Sequence, residues 1–175
     1  MLALSPSGDL FVTDSGAGIV YQLPDANHDG SADARKVIAT NLQFPHGISW
    51  HNDQLYVAET ERVIRFEDAD RDGTYENKRI IVNNLPAGGS HVSRTLVFDT
   101  QGMLYVSVGS SCNVCEDDPR RAAILRFNGD GTEEQLFAAG LRNAVGLTVH
   151  PTTGKLWATD NGRDLIGDDI PPEEV

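Results

Sequence analysis

Three segments of this chain place side chains that can move a proton or face a negative charge just ahead of strand-like runs. "NLQFPHGIS" carries His46, "NLPAGGSHVSRTL" carries His91, and "GLRNAVGLT" carries Arg142 and Asn143. A neutral imidazole can take a proton near pH 7. A guanidinium can steady negative charge that develops in a reaction. A second group of loops, "ETERV", "GSSCNVCEDDPRRA" and "DNGRDLIGDD", adds Cys112, Cys115 and the run Asp160 to Asp164. Any one of these residues could equally be a loop residue that satisfies backbone groups. Recurrence at matching points favours a shared polar site.

Two further loops have the composition of cation sites. "DANHDGSAD" and "DADRDGTYE" follow one pattern, D-x-[DN]-x-D-G-x-x-[DE]. Oxygen side chains at alternate positions, a glycine for the sharp turn and a later carboxylate can wrap a hard cation. The ligand sets expected for calcium are Asp25, Asn27, Asp29 and Asp33, then Asp68, Asp70, Asp72 and Glu76. An EF-hand would want Glu at its last position, where the chain has Lys36 and Arg79, so none is expected. The spacing resembles the calcium hairpins of integrin α-subunit propellers. The alternative is a pair of solvated acidic turns. Cys112 and Cys115 form C-x-x-C without a second pair to complete a zinc site. Glu116 follows them, which excludes haem attachment. A local disulfide in an oxidising compartment is expected, with two free thiols as the alternative.

The elements that must position these residues repeat. "LALSPSGDLFVTD", "ISWHNDQLYVAET", "LVFDTQGMLYVSV" and "LTVHPTTGKLWATD" each read as a strand, a polar turn and a second strand. Their anchors Leu10, Leu55, Leu104 and Leu156 stand 45, 49 and 52 residues apart. A further strand pair follows each of the first three: "GIVYQL" to "RKVIAT", "RVIRFE" to "KRIIVNN", and "AAILRF" to "EQLFAAG". Four strands in such a period mark a propeller blade. A β-sandwich has no reason to repeat so regularly. The expected class is all-β, about 3.5 blades of a six-bladed propeller, with repeat units of about 1–46, 47–94, 95–145 and an incomplete 146–175. In such a fold the loops from the outermost strand of one blade to the innermost strand of the next share a face with those joining the second strand to the third. His46, His91 and Arg142–Asn143 would then converge near the axis.

Composition agrees. The 175 residues are 39% hydrophobic and 7% aromatic, with 17 glycines, which suits strands and tight turns. A net charge of −12 argues against nucleic acid as a partner. No apolar run approaches a membrane span, so no transmembrane segment is expected. The chain opens directly on a strand, with no signal peptide ahead of it. That suggests an N-terminal truncation.

"GGSHVSRTLVFDTQGMLYVSVGSSCNVCEDDPRRAAILRF" and "LRNAVGLTVHPTTGKLWATDNGRDLIGDD" resemble the soluble quinoprotein sugar dehydrogenases, the glucose, sorbosone and pyranose enzymes that use pyrroloquinoline quinone. The likeness is specific across residues 85–169 and weaker, though in register, before them. It implies a six-bladed propeller that oxidises an aldose or related aldehyde, passing hydride to calcium-bound quinone and electrons to an acceptor. It implies a periplasmic or secreted location. His91 matches the catalytic base, and Arg142 and Asn143 match contacts to quinone and substrate. His46 stands where a polar quinone contact is expected. Gly162 and Arg163 match the pair whose backbone carbonyls hold the catalytic calcium, although the family often has proline at the second place. Basic anchors for the quinone carboxylates come from later blades that this chain does not contain, so half a site is expected here. The alternatives are a calcium-dependent lactonase, which would hold its metal with acidic side chains at the axis, and a non-catalytic binding propeller.

Overall fold

The computed structural model describes residues 1–165 and is a partial β-propeller. The first sheet contains β1 (Leu2–Leu4), β2 (Leu10–Asp14), β3 (Ile19–Leu23) and β4 (Lys36–Ala39). The second contains β5 (Ile48–His51), β6 (Gln54–Ala58), β7 (Val63–Glu67) and β8 (Asn77–Val82). The third contains β9 (Leu96–Phe98), β10 (Leu104–Val108), β11 (Ala123–Phe127) and β12 (Gln135–Ala139). A hairpin of β13 (Ala144–Val149) and β14 (Leu156–Asp160) follows. Each sheet runs antiparallel in chain order, and the first strands of successive sheets are neighbours. No helix occurs among the described residues.

Alternation along the second strand of each blade builds the core. Leu55 and Val57 of β6 face the first sheet, packing with Phe11, Val20 and Ile48. Tyr56 and Ala58 face the third sheet, packing with Leu96, Leu104 and Val106. A strand buried on both faces is therefore mostly apolar, as β10 is in "LYVSV", where Ser107 is the one small polar residue.

Two local devices recur. The pairing of third and fourth strands slips at Val20/Tyr21, Val63/Ile64 and Ile124/Leu125. Such bulges raise the local twist and blunt the outer edge. One or two residues after each fourth strand comes a residue with positive φ, Asn41, Asn84 or Gly140, types that reach the left-handed region at least cost. The next amide, of Leu42, Leu85 or Leu141, donates to the carbonyl of Gly18, Glu61 or Ala122. That closure starts every loop leading to the candidate site.

One inner strand differs from expectation. The sequence leaves Ala144 to Gly146 in a loop, yet β13 begins at Ala144. A register shift between Ala144 and Gly146 lets the strand start early, and Gly146 N donates to Thr159 Oγ1 at 3.0 Å.

Candidate active site at the mouth of the blades

The loop of residues 83–95 folds onto the end of β10. Ser90 N donates to Ser111 O at 2.7 Å. His91 Nδ1 lies 2.8 Å from Ser110 O and 3.1 Å from Ser110 Oγ. A carbonyl can only accept, so Nδ1 carries the proton, which in a neutral ring places the lone pair on Nε2. Ser110 Oγ donates onward to Cys112 O at 2.7 Å, leaving its own lone pairs for the imidazole. Gly89 makes the approach possible. Its φ is +78°, and a Cβ there would sit 2.5 Å from Ser111 Cα.

Arg142 and Asn143 join the same patch. Ser110 N donates to Arg142 O at 2.8 Å. The amides of Arg142 and Asn143 donate to the two oxygens of Asp160, at 3.0 and 2.8 Å. The guanidinium of Arg142 reaches Asn161 O and Asp164 Oδ2, while its buried Nε has no partner. Gly162 and Arg163 lie between these last two contacts in the chain. Asn113, inside the Cys112–Cys115 disulfide loop, exchanges hydrogen bonds with the backbone of Asp164 at 3.0 and 2.9 Å. The cysteine loop and the 160–164 segment are therefore tied to each other.

His46 connects from the second blade. Its Nδ1 donates to Arg94 O at 3.1 Å, and Arg94 Nη1 donates to His91 O at 3.0 Å. Burial holds the His46 imidazole below its ordinary pKa, against the opposing effect of the Arg94 carbonyl. The two histidines are not level on their blades. The paired anchors are Ile48 with Val57 and Leu96 with Val106, and the residue two before Leu96 is Arg94, as His46 is two before Ile48. The longer loop of residues 83–95 places His91 three residues ahead of that point.

Sequence reasoning missed several members of this site. Gly109 separates His91 from Asn143, and a Cβ there would lie 2.5 Å from His91 Cβ and 2.7 Å from Asn143 Oδ1. Ser110 and Arg94 also passed as ordinary loop or strand-end residues, whereas Asp160 was named with its loop but not as the anchor of the Arg142 and Asn143 amides. Gly109 directly after a buried strand was the one signal available. The acidic hairpins lie elsewhere, between β3 and β4 and between β7 and β8. Asp68, Asp70, Asp72 and Glu76 bring one carboxylate oxygen each within 4.8 Å of the others. Concavity alone would also mislead, because a cleft of about 630 Å³ lined by Asp9, Phe11, Trp50, Glu67 and Tyr75 holds none of the mouth residues.

The family model for TrAA12-like proteins matches residues 1–170. The chain belongs to the TrAA12-like family. A Borreliella burgdorferi protein described as uncharacterised is 32% identical over 149 residues, covering 79% of this chain and 39% of its own length. A pyrroloquinoline quinone-dependent sugar dehydrogenase of Hypocrea jecorina is 25% identical, covering 93% of this chain and 43% of its own. The chain thus spans about two fifths of the curated relatives it matches. Among solved structures, a Trichoderma reesei Carbohydrate-Active Enzymes Family AA12 protein superposes with TM-score 0.79 at 25% identity, over 93% of this chain and 45% of that one. The holo pyranose dehydrogenase PQQ domain of Coprinopsis cinerea gives 0.80 at 24%, over 95% and 46%. That second likeness speaks to the fold. In this TrAA12-like chain no helix among the described residues is long and apolar enough to cross a membrane.

Proposed function

We propose that this chain is part of a quinoprotein oxidoreductase that oxidises an aldose or related aldehyde, using pyrroloquinoline quinone and calcium. The observation that carries the reading is one hydrogen-bonded path through His46, Arg94, His91, Ser110 and Arg142, which leaves His91 Nε2 without a protein partner among the described residues. The residues present fit the cofactor on two counts. The buried, unpartnered Nε of Arg142 suits an anionic ligand, and the missing Cβ of Gly109 lets His91 and Asn143 approach one another closely at the mouth. When bound, the quinone supplies the hydride acceptor, made more electrophilic by calcium. Arg142, Asn143 and His46 would contact it, and the carbonyls of Gly162 and Arg163 would hold the ion.

The chain's own residues then have separate roles. His91 takes the substrate hydroxyl proton on Nε2, with Nδ1–H anchored on Ser110 so that the ring stays in the accepting tautomer. Arg142 stabilises negative charge. The paired cysteines support an oxidising compartment, hence a periplasmic or secreted setting. The two acidic hairpins hold structural calcium away from this chemistry.

The test is His91→Ala in full-length, quinone-reconstituted protein. Turnover on an aldose should fall about 10²-fold or more while quinone stays bound. Arg142→Ala should lower turnover and quinone retention together. Wild-type turnover in His91→Ala would overturn the reading.

A further inference from the structure

Beneath the His91 loop lies a fully buried charge with no carboxylate paired to it among the described residues. Arg94 is 0% exposed. Its Nη1 donates to His91 O at 3.0 Å and Ser93 O at 2.8 Å, and its Nη2 donates to Pro86 O at 2.5 Å. Its Nε has no partner. No ion pair to Arg94 occurs among the described residues. Burial, and then the like charge of Arg121, push its pKa down to about 10, which leaves it charged at neutral pH. A second buried guanidinium, Arg121, works on the same loop. It donates to the carbonyls of Ala87, Gly88 and Gly109, and Asp117 offsets its charge at 3.7 Å.

A buried cation without a counter-ion is costly and is not the cheapest way to stabilise a fold. An apolar side chain would fill the volume without that cost. What an apolar side chain could not do is hold three inward-turned carbonyls of one loop at fixed positions. We infer that Arg94 is a positioning residue for His91: its guanidinium fixes the loop carbonyls so that the imidazole presents Nδ1–H to Ser110 and keeps Nε2 for the substrate hydroxyl. The inference rests on the reading of His91 as the base. Arg94 touches neither substrate nor cofactor in this role. It also ties the base to His46, whose Nδ1–H ends on the Arg94 carbonyl.

The measurement is the tautomeric state of His91 by histidine-selective ¹⁵N NMR on the full-length protein, which does not depend on activity. Wild type should show one Nδ1–H tautomer with a slowly exchanging proton. Arg94→Lys keeps the charge, but a single ammonium cannot span three carbonyls. It should give a tautomer mixture with faster exchange, unchanged quinone affinity and turnover lowered about 10²-fold, the scale of a displaced reacting group. Added to His91→Ala, it should cost no further turnover, because two residues acting through one group are not additive.

A wild-type protein whose His91 is Nε2–H or mixed overturns the inference without any variant, should Arg94→Lys fail to fold. So does an unshifted tautomer in Arg94→Lys, or an equal rate loss with and without His91. If His91→Ala keeps wild-type turnover, the dehydrogenase reading fails instead, and the tautomer still decides the role of Arg94.

Discussion

At Gly109 the site depends on a side chain that is absent. The α-carbon of this residue sits where the second strand of the third blade reaches the mouth, with His91 on one side and Asn143 on the other. Gly109→Ala adds one methyl group at sub-van-der-Waals distance from both. Either the His91 loop or the Asn143 segment must move, and displacing a reacting group by about 1 Å costs roughly 10²-fold in rate. The expected result is a turnover loss of that order with the sheet intact by circular dichroism; unaltered kinetics would mean that the close approach of His91 and Asn143 is not needed. His46 gives a prediction of a different kind. Its folded pKa lies below the ordinary 6.5 because it is buried, so the unfolded chain takes the proton first. Its contribution to stability is full above about pH 6.5, falls as pH drops below that value, and levels off once pH passes under the folded pKa. His51 is lowered by burial as well, with the same sign. His46→Gln should therefore flatten, without abolishing, the fall in Tm from about pH 7.5 to about pH 5.5, and an unchanged slope would show that His46 is not the group responsible.

The acidic hairpins belong to the scale of the element, because backbone and side chains act there together. In the first, Asp25 accepts from the amides of Asp29 and Gly30, and Asp29 accepts from Ser31. In the second, Asp68 accepts from Asp72 and Gly73, and Asp72 accepts from Thr74. One backbone plan thus serves both, and in the second hairpin the four carboxylates also converge. Calcium at about 100 times its Kd would add about 2.7 kcal/mol for each hairpin, a rise in Tm of about 5 °C or more from each for a chain of this size. Asp29→Ala with Asp72→Ala should remove that rise, and equal melting with calcium or with chelator would reduce the hairpins to solvated turns. The strands were legible in the sequence because each blade repeats an alternating pair around a polar turn. His91, Arg142 and Asn143 were legible because each precedes an inner strand. Arg94 was not, since a lone arginine reads as a surface residue until its own loop, residues 83–95, folds over it. The early start of β13 was hidden for a similar reason, because a bulge at Gly146 depends on Thr159 across the hairpin. Sequence alternation carries facing and period well. It carries nothing about a group whose partners are carbonyls of another loop.

The whole molecule is an arc in which every blade is finished by its neighbours, and equivalent positions measure how far that finishing extends. Ile48 and Leu96, each with a blade on either side, are 5% and 4% exposed, whereas Leu2 at the same place in the first repeat is 62% exposed. Phe11, Tyr56 and Tyr105 are 1%, 3% and 6% exposed, whereas Trp157 at the same place in the hairpin is 47% exposed. With Leu147 and Val149, Trp157 lines an apolar cleft of about 440 Å³. Residue type is thus constant along the repeat while burial is not, so the two ends of the arc present surfaces built for packing. Contiguous apolar surface of this kind drives association when it stays in water. The net charge of −12 opposes association, but salt screens that repulsion beyond about 10 Å at 0.1 M and leaves the apolar term untouched. The polypeptide 1–175 expressed by itself should therefore bind a hydrophobic dye and sediment with a mass that rises with concentration, more steeply as salt increases. Trp157→Lys should weaken both effects, because it places a charge in the apolar cleft. A monomer at all concentrations, with no dye bound, would show that the exposed ends close on themselves in solution.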